Sequence, residues 1–276
     1  MLKIRIIVGI LLIVGSVTLV IWHTMAMSAE VLIIGILGLT EFYQLAYKKG
    51  IRPSMATGVT CGILLLISSI FLDYEKQAVL LTLMVIYTMI VFIFRKSHHV
   101  SSFLDAGVTI LGYIYIGWLF GGIILLRRFN DLISIGPWQI ESGAIYVIFL
   151  VLATSFTDIG GFFVGKFLGR NKLCPDISPA KTIEGSIGGM IVAVLIAGAW
   201  GYFAKIPLHH CLILAVLISI FAQLGDLRES VLKRDVSVKD SGDIIAGHGG
   251  ALDRFDSLFV TSAVAFIYFR FVFPLF

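Results

Sequence analysis

Apolar runs of helical length recur from one end of this chain to the other, parted by short polar links, and they leave few ways to fold. They lie near residues 5–22, 28–47, 55–72, 77–94, 103–126, 142–162, 186–204, 209–227 and 257–275. At about 1.5 Å of rise per residue, each is long enough to cross a hydrocarbon layer roughly 30 Å thick. No apolar stretch alternates with the period of a strand, which disfavours a transmembrane barrel. The chain is 58% hydrophobic and only 14% charged, with a mean hydropathy of +1.00. The expected fold is an all-α polytopic membrane protein of nine transmembrane helices.

Lysine and arginine set the expected orientation. A cytoplasmic N-terminus puts Lys3, Arg5, Lys48, Lys49, Arg52, Arg95, Lys96, Lys166, Arg170, Lys172, Lys181, Arg228, Lys233, Arg234, Lys239 and Arg254 inside. It leaves Lys76, Arg127, Arg128, Lys205 and Arg270 outside, a division of 16 against 5 among 21. This is a positive-inside bias. Cytoplasmic loops facing anionic lipid account for the net charge of +4, so no nucleic-acid partner is called for. The expected location is the cell membrane, which in a bacterium is the cytoplasmic membrane.

Lys3 and Arg5 precede the first run, and Ala26-Met27-Ser28 has the look of a cleavage site. The run exceeds the ~7–15 residues of a signal-peptide core, so a retained anchor is expected. Cys61, Cys174 and Cys211 are scattered and imply neither a disulfide framework nor a zinc site. The pairs His98-His99 and His209-His210 sit at span ends and read as interfacial polar residues.

The sequence divides into N-terminal transmembrane helices, 1–130, and a C-terminal region, 131–276, that carries the chemistry. Glu41 and Asp105 are exceptions in the plain half; each fits either an interfacial residue or a wall of a site. In the second half, Thr157-Asp158-Ile159-Gly160-Gly161 ends one span, and Gly161, Gly165 and Gly169 recur every fourth residue. Small residues at that spacing let helices approach closely. Lys166 and Arg170 would share one helical face at the cytoplasmic surface. No internal repeat is evident, which weakens a transporter reading.

Two segments carry the chemistry. Ile177-Ser178-Pro179-Ala180-Lys181-Thr182-Ile183-Glu184-Gly185 reads as a helix capped by Ser178, with Pro179 at the first helical position. A helix N-terminus attracts phosphate, and Lys181 and Thr182 add a cation and a hydroxyl there. Alone, this segment is an ordinary capped helix with a solvated lysine. The second segment is a polar island, residues 225–256, that holds about a third of all the charged residues. It offers carboxylates suited to a hard cation, basic groups suited to phosphates, and glycines that expose backbone N–H groups.

The island resembles the signature of the phosphatidate cytidylyltransferases. The matching positions are Ser230, Lys233, Arg234, Lys239, Asp240, His248, Gly249, Gly250, Asp253, Arg254 and Asp256. Ala246 and Ala251 depart from the family's usual residues, and neither carries chemistry. The element Ser178-Pro179-Ala180-Lys181-Thr182-Ile183-Glu184-Gly185 is similar to a second motif of the same family, and Asp158 with Gly160, Gly165 and Lys166 to the stretch before it.

The resemblance implies transfer of CMP from CTP to phosphatidate, giving CDP-diacylglycerol and pyrophosphate. Catalysis of this kind is positioning plus neutralisation of charge, and Mg²⁺ held by carboxylates supplies the latter; a second cation, monovalent or divalent, is compatible with it. On a continuous helix Asp226, Ser230 and Lys233 fall on one face, and Asp253 and Asp256 share another. Asp226 and Asp253 are then the first-choice metal ligands, with Asp256 a third, and Asp226, Lys233 and Asp253 form the catalytic set. Lys233 and Arg234 would bind phosphates, while Lys239 and Arg254 would hold pyrophosphate or lipid phosphate. Ser178, Lys181, Thr182, Ser230, Asp240, His248, Gly249 and Gly250 complete the substrate-binding set. The partners are CTP, phosphatidate and membrane lipid, with a homodimer compatible with the glycine-rich spans. The rival readings are a CTP-dependent kinase or cytidylyltransferase for another lipid or isoprenoid phosphate, and an ion or phosphate transporter.

Overall fold

The computed structural model describes residues 14–95, 102–242 and 249–275. Lys3, Arg5, Lys96, His98, His99, Ala246, Gly247 and His248, with the first part of the 5–22 run, lie outside the described residues. The chain is mostly helical. After helical turns over residues 14–22 come α1 (Thr24–Lys48), α2 (Met55–Phe71), α3 (Tyr74–Phe94) and α4 (Ser102–Arg127). A hairpin, β1 (Leu132–Ile135) and β2 (Trp138–Glu141), leads into α5 (Ser142–Leu168). A second hairpin, β3 (Lys172–Cys174) and β4 (Ser178–Thr182), leads into α6 (Ile183–Phe203). Helices α7 (Leu208–Asp235) and α8 (Leu252–Val272) complete the bundle.

Seven helices, all but α2, are long and apolar enough to span a membrane, and α2 stops short at 17 residues. Nine spans were expected, and the eight described helices follow the second to ninth runs in order. Helices suit lipid because each satisfies its own backbone groups. The two short hairpins sit at opposite ends of α5, where backbone can meet water. The 28 residues of α7 reach roughly 40 Å, about 10 Å more than the hydrocarbon layer, so the helix is long enough to carry its charged last turns, Arg228 to Asp235, beyond that layer.

One apolar core runs through both halves, from Val20 and Val31 to Phe259 and Phe269. Glycines bring the helices together where the site forms. A side-chain carbon at Gly185 would lie 3.0 Å from the Gly165 Cα, and one at Gly189 would collide with the Thr157 carbonyl. The fourfold glycine spacing on α5 therefore packs against α6. In α4, Tyr113–Trp118 widens to a π-helix. Tyr43 donates its hydroxyl to the Thr109 carbonyl at 2.7 Å, just ahead of that widening, where an inserted side chain disturbs the helical ladder.

Charge gathers at the two ends of the bundle. At one end the Lys49 ammonium lies 3.5 Å from Asp235, and Asp105 accepts from the Arg52 amide at 2.8 Å. At the other, buried Arg127 pairs with Glu141 at 2.5 Å and donates to the Val20 carbonyl. His210 is buried, with Nδ1 2.9 Å from the Tyr268 hydroxyl, a core contact rather than an interfacial one.

Candidate active site

A cleft of about 420 Å³ opens between α5, α6, the β3–β4 hairpin and α7. Asp158, Lys166, Ser178, Lys181, Gln223 and Asp226 lie on its walls. It unites the 178–185 element with the start of the polar island, and it does so with a local structure the sequence reading missed. Ser178 does not cap a helix. Residues Ser178–Thr182 form β4, with Ser178 opposite Cys174 and Thr182 opposite Lys172. Pro179 is tolerated because a two-stranded hairpin leaves outward-facing positions without a ladder partner. The helix begins four residues later: Thr182 is the N-cap of α6 and accepts from the Gly185 amide at 3.1 Å. Glu184 reaches back to accept from the Arg170 and Asn171 amides at 3.0 and 3.1 Å, tying the exit of α5 to the entry of α6. A helix N-terminus still opens on the cleft, with Lys181 just before its cap.

Three carboxylates from three helices lie within electrostatic reach of one another at this end: Asp158 on α5 and Asp226 on α7, both on the cleft, and buried Asp256 on α8. Asp226 and Asp158 act on one another as like charges, and both act on Asp256. Gly225 makes this possible, since a side-chain carbon there would lie 2.9 Å from the Asp256 carbonyl. Lys181 is the cation set against the group, its Nζ 2.5 Å from Asp226 Oδ2, and it also acts on Asp158. Gln223, one turn below Asp226, hydrogen-bonds Ser186 across the cleft. In the sequence Asp158 is a lone carboxylate ending an apolar run, within a stretch that resembles the family but gives it no role; Gln223 carries no signal.

Asp253 belongs to a different set of contacts from Asp226. Its Oδ1 accepts from Lys233 at 2.8 Å, and its Oδ2 accepts from the Ser241 amide and hydroxyl and from the Gly250 amide. Lys233 also lies 2.6 Å from Glu229, whose other oxygen, Oε1, is buried without a partner. So the face expected to hold Asp226, Ser230 and Lys233 together splits: Asp226 turns to β4 and Lys233 to α8. Ser230 is half-buried on α7, and Arg234 is exposed and donates to the Ile177 carbonyl at 3.3 Å. Lys239, Asp240 and Arg254 are exposed at the same end, and Gly249 takes a positive φ of 86°. Of the two open carboxylates in the first half, Asp105 is bonded to the α1–α2 link and Glu41 to the start of α8.

Among the described residues no three His, Cys, Asp or Glu side chains converge tightly enough to hold a metal by themselves. The donors of the Asp158, Asp226 and Asp256 group are nonetheless all hard oxygens, the kind that a hard divalent cation sharing its ligands with water and phosphate takes; Lys166 and Lys181 stand on the same cleft.

Fold and site define a multi-pass helical membrane protein with a charged cleft at one end of its bundle. The sequence matches the cytidylyltransferase family over residues 3–272, and the chain belongs to that family. It is 33% identical over 278 residues to a phosphatidate cytidylyltransferase of Bacillus subtilis, a match covering 97% of this chain and 96% of that protein. It is 32% identical over 270 residues to one of Synechocystis, covering 90% and 89%. A phosphatidate cytidylyltransferase of Staphylococcus haemolyticus is 40% identical over 158 residues, 56% of each chain.

Proposed function

We propose that this protein transfers CMP from CTP to phosphatidate. A phosphate oxygen of the lipid attacks the α-phosphorus of CTP, the bond from that phosphorus to the bridging oxygen breaks, and pyrophosphate leaves. CDP-diacylglycerol stays in the bilayer. The observation that carries this reading is the meeting of Lys181, the α6 N-terminus, Asp158 and Asp226 around one cleft, with Asp256 buried behind them. An anion must approach a polyanion in this reaction, so both signs of charge are needed at one place.

Asp158, Asp226 and Asp256 are the residues placed to hold Mg²⁺, which supplies neutralisation of phosphate charge when bound. Lys181 and the amides at the start of α6 bind phosphate oxygens, and Arg234, Lys239 and Arg254 add positive charge at the rim. Lys233 and Asp253 hold the base of α8 beside the site. The bias of basic residues supports a cytoplasmic position for this end, facing CTP, and a bacterial cytoplasmic membrane for the protein.

The test is turnover by the purified chain in mixed micelles with CTP labelled at the α-phosphorus. Label in a liponucleotide, with one pyrophosphate released for each, is the expected result. Soluble CDP would point to a kinase instead. Uptake into vesicles with neither product would point to a transporter.

A further inference from the structure

Helix α8, which carries both Asp253 and Asp256, starts without a cap of its own. Its N-cap position is Ala251, whose side chain cannot accept a hydrogen bond. Backbone amides at a helix start need acceptors, and buried ones need them most. Here the acceptor comes from α1, across 210 residues of sequence. Glu41 Oε1 accepts from the Ala251 amide at 2.9 Å, and Oε2 accepts from the Leu252 amide at 2.8 Å. The side chain is fully buried, at 0% exposure, so these bonds offset a large desolvation cost.

The same carboxylate closes the base of the segment between α7 and α8. Ser241 donates its hydroxyl to Glu41 Oε2 at 2.9 Å, on the side leaving α7. That hydroxyl lies equally near Asp253 Oδ2, at 2.9 Å, so one proton serves two carboxylates and links them. Glycines allow the close fit. A side-chain carbon at Gly242 would lie 2.8 Å from Glu41 Oε1, and one at Gly250 would collide with Glu41 and Ser241.

We propose that Glu41 is a positioning residue for the reaction: from α1 it caps the start of α8, clasps Ser241–Gly242 to Gly250–Leu252, and so holds Asp253 and Asp256 in place. The negative charge itself matters, because it faces backbone donors and the positive end of a helix dipole. Glutamine keeps the volume but turns one acceptor into a donor that opposes an amide. The clasp stands on the geometry; its effect on turnover rests on the function proposed above.

The experiment compares the full-length parent with Glu41→Gln in detergent, by hydrogen exchange and by steady-state kinetics. Exchange of amides within residues 250–256 should quicken about tenfold or more, while that of α5 and α6 holds. Turnover should fall about tenfold or more, with the KM for CTP kept within about twofold, as for a group that orders the site without touching CTP. Unchanged exchange at 250–256 overturns the clasp. A raised KM with unchanged turnover overturns the positioning role. Should Glu41→Gln not fold, Ser241→Ala removes the shared hydroxyl and leaves both amide bonds. It must then lower turnover and α8 protection in the same direction by a smaller factor, and parental values in both would refute the proposal. A parent that makes no liponucleotide refutes the proposed function alone, since the exchange arm still decides the clasp.

Discussion

The Lys181 ammonium stands 2.5 Å from Asp226 Oδ2, joining β4 to α7 across the mouth of the cleft. Their side chains are 24% and 30% exposed, so the pair is reachable by a ligand rather than sealed. Each partner can therefore exchange the other for a group of opposite sign. Lys181→Ala should raise the KM for CTP by about tenfold or more, the worth of a charge-assisted hydrogen bond, and leave that for phosphatidate within about twofold. Steady-state kinetics with each substrate varied checks this. Intact CTP affinity with collapsed turnover would instead place Lys181 in the transition state.

Asp226→Asn and Asp256→Asn keep shape while removing charge from the three-carboxylate group. Each should cut liponucleotide formation by about a hundredfold or more. The double variant should be little worse than the more severe single one, as expected for residues that act as a unit. Chelation of divalent cations should silence the parent, and added Mg²⁺ should restore it. An Asp256→Asn enzyme near parental rate would remove that residue from the site.

Asp253→Asn should differ from these in stability. The Asp253 side chain is 6% exposed and holds Lys233, itself 17% exposed, so the substitution breaks a buried ion pair. Breaking such a pair costs about 3–5 kcal/mol, and here Glu229 remains to share part of the lysine charge. Thermal unfolding in detergent should show a clear fall in midpoint for Asp253→Asn, against little change for Asp226→Asn. Equal midpoints would assign Asp253 to the chemistry instead of the scaffold.

The cleft depends on close contact between α5 and α6. Gly189→Val would drive a branched side chain into the Thr157 carbonyl, one residue before Asp158. Overpacking of this kind costs about 1–3 kcal/mol. A lowered midpoint together with lost turnover is the expected outcome. Unchanged activity would show that the helix spacing can relax without moving Asp158.

Orientation can be read with single cysteines. Ser237 is exposed just after α7, and Ser134 is exposed on β1 at the opposite end. An impermeant thiol reagent should label Ser237→Cys only from the cytoplasmic side and Ser134→Cys only from the outside. Labelling of Ser237→Cys from outside would invert the topology and remove the site's access to CTP.

Local rules made much of this protein legible from its residues. Apolar runs of spanning length must be helices in lipid, and α1 to α8 appear where those runs lie. The residues of the motifs from Ser178 to Asp256 resemble those of a known family, and that resemblance needs no knowledge of which side chains meet. What the tertiary structure decided was partnership. Thr182 rather than Ser178 starts α6, because strand pairing with Lys172 and Cys174 competes with capping and wins. Asp226 goes to Lys181, Asp158 and Asp256, whereas Asp253 goes to Lys233, because Gly225 and the crossing of α7 with α8 set those distances. Glu41 caps a helix more than two hundred residues away. Hydrophobic period and capping act over a few residues and are written locally; the pairing of buried charges depends on which helices pack together, and no short window of sequence contains that.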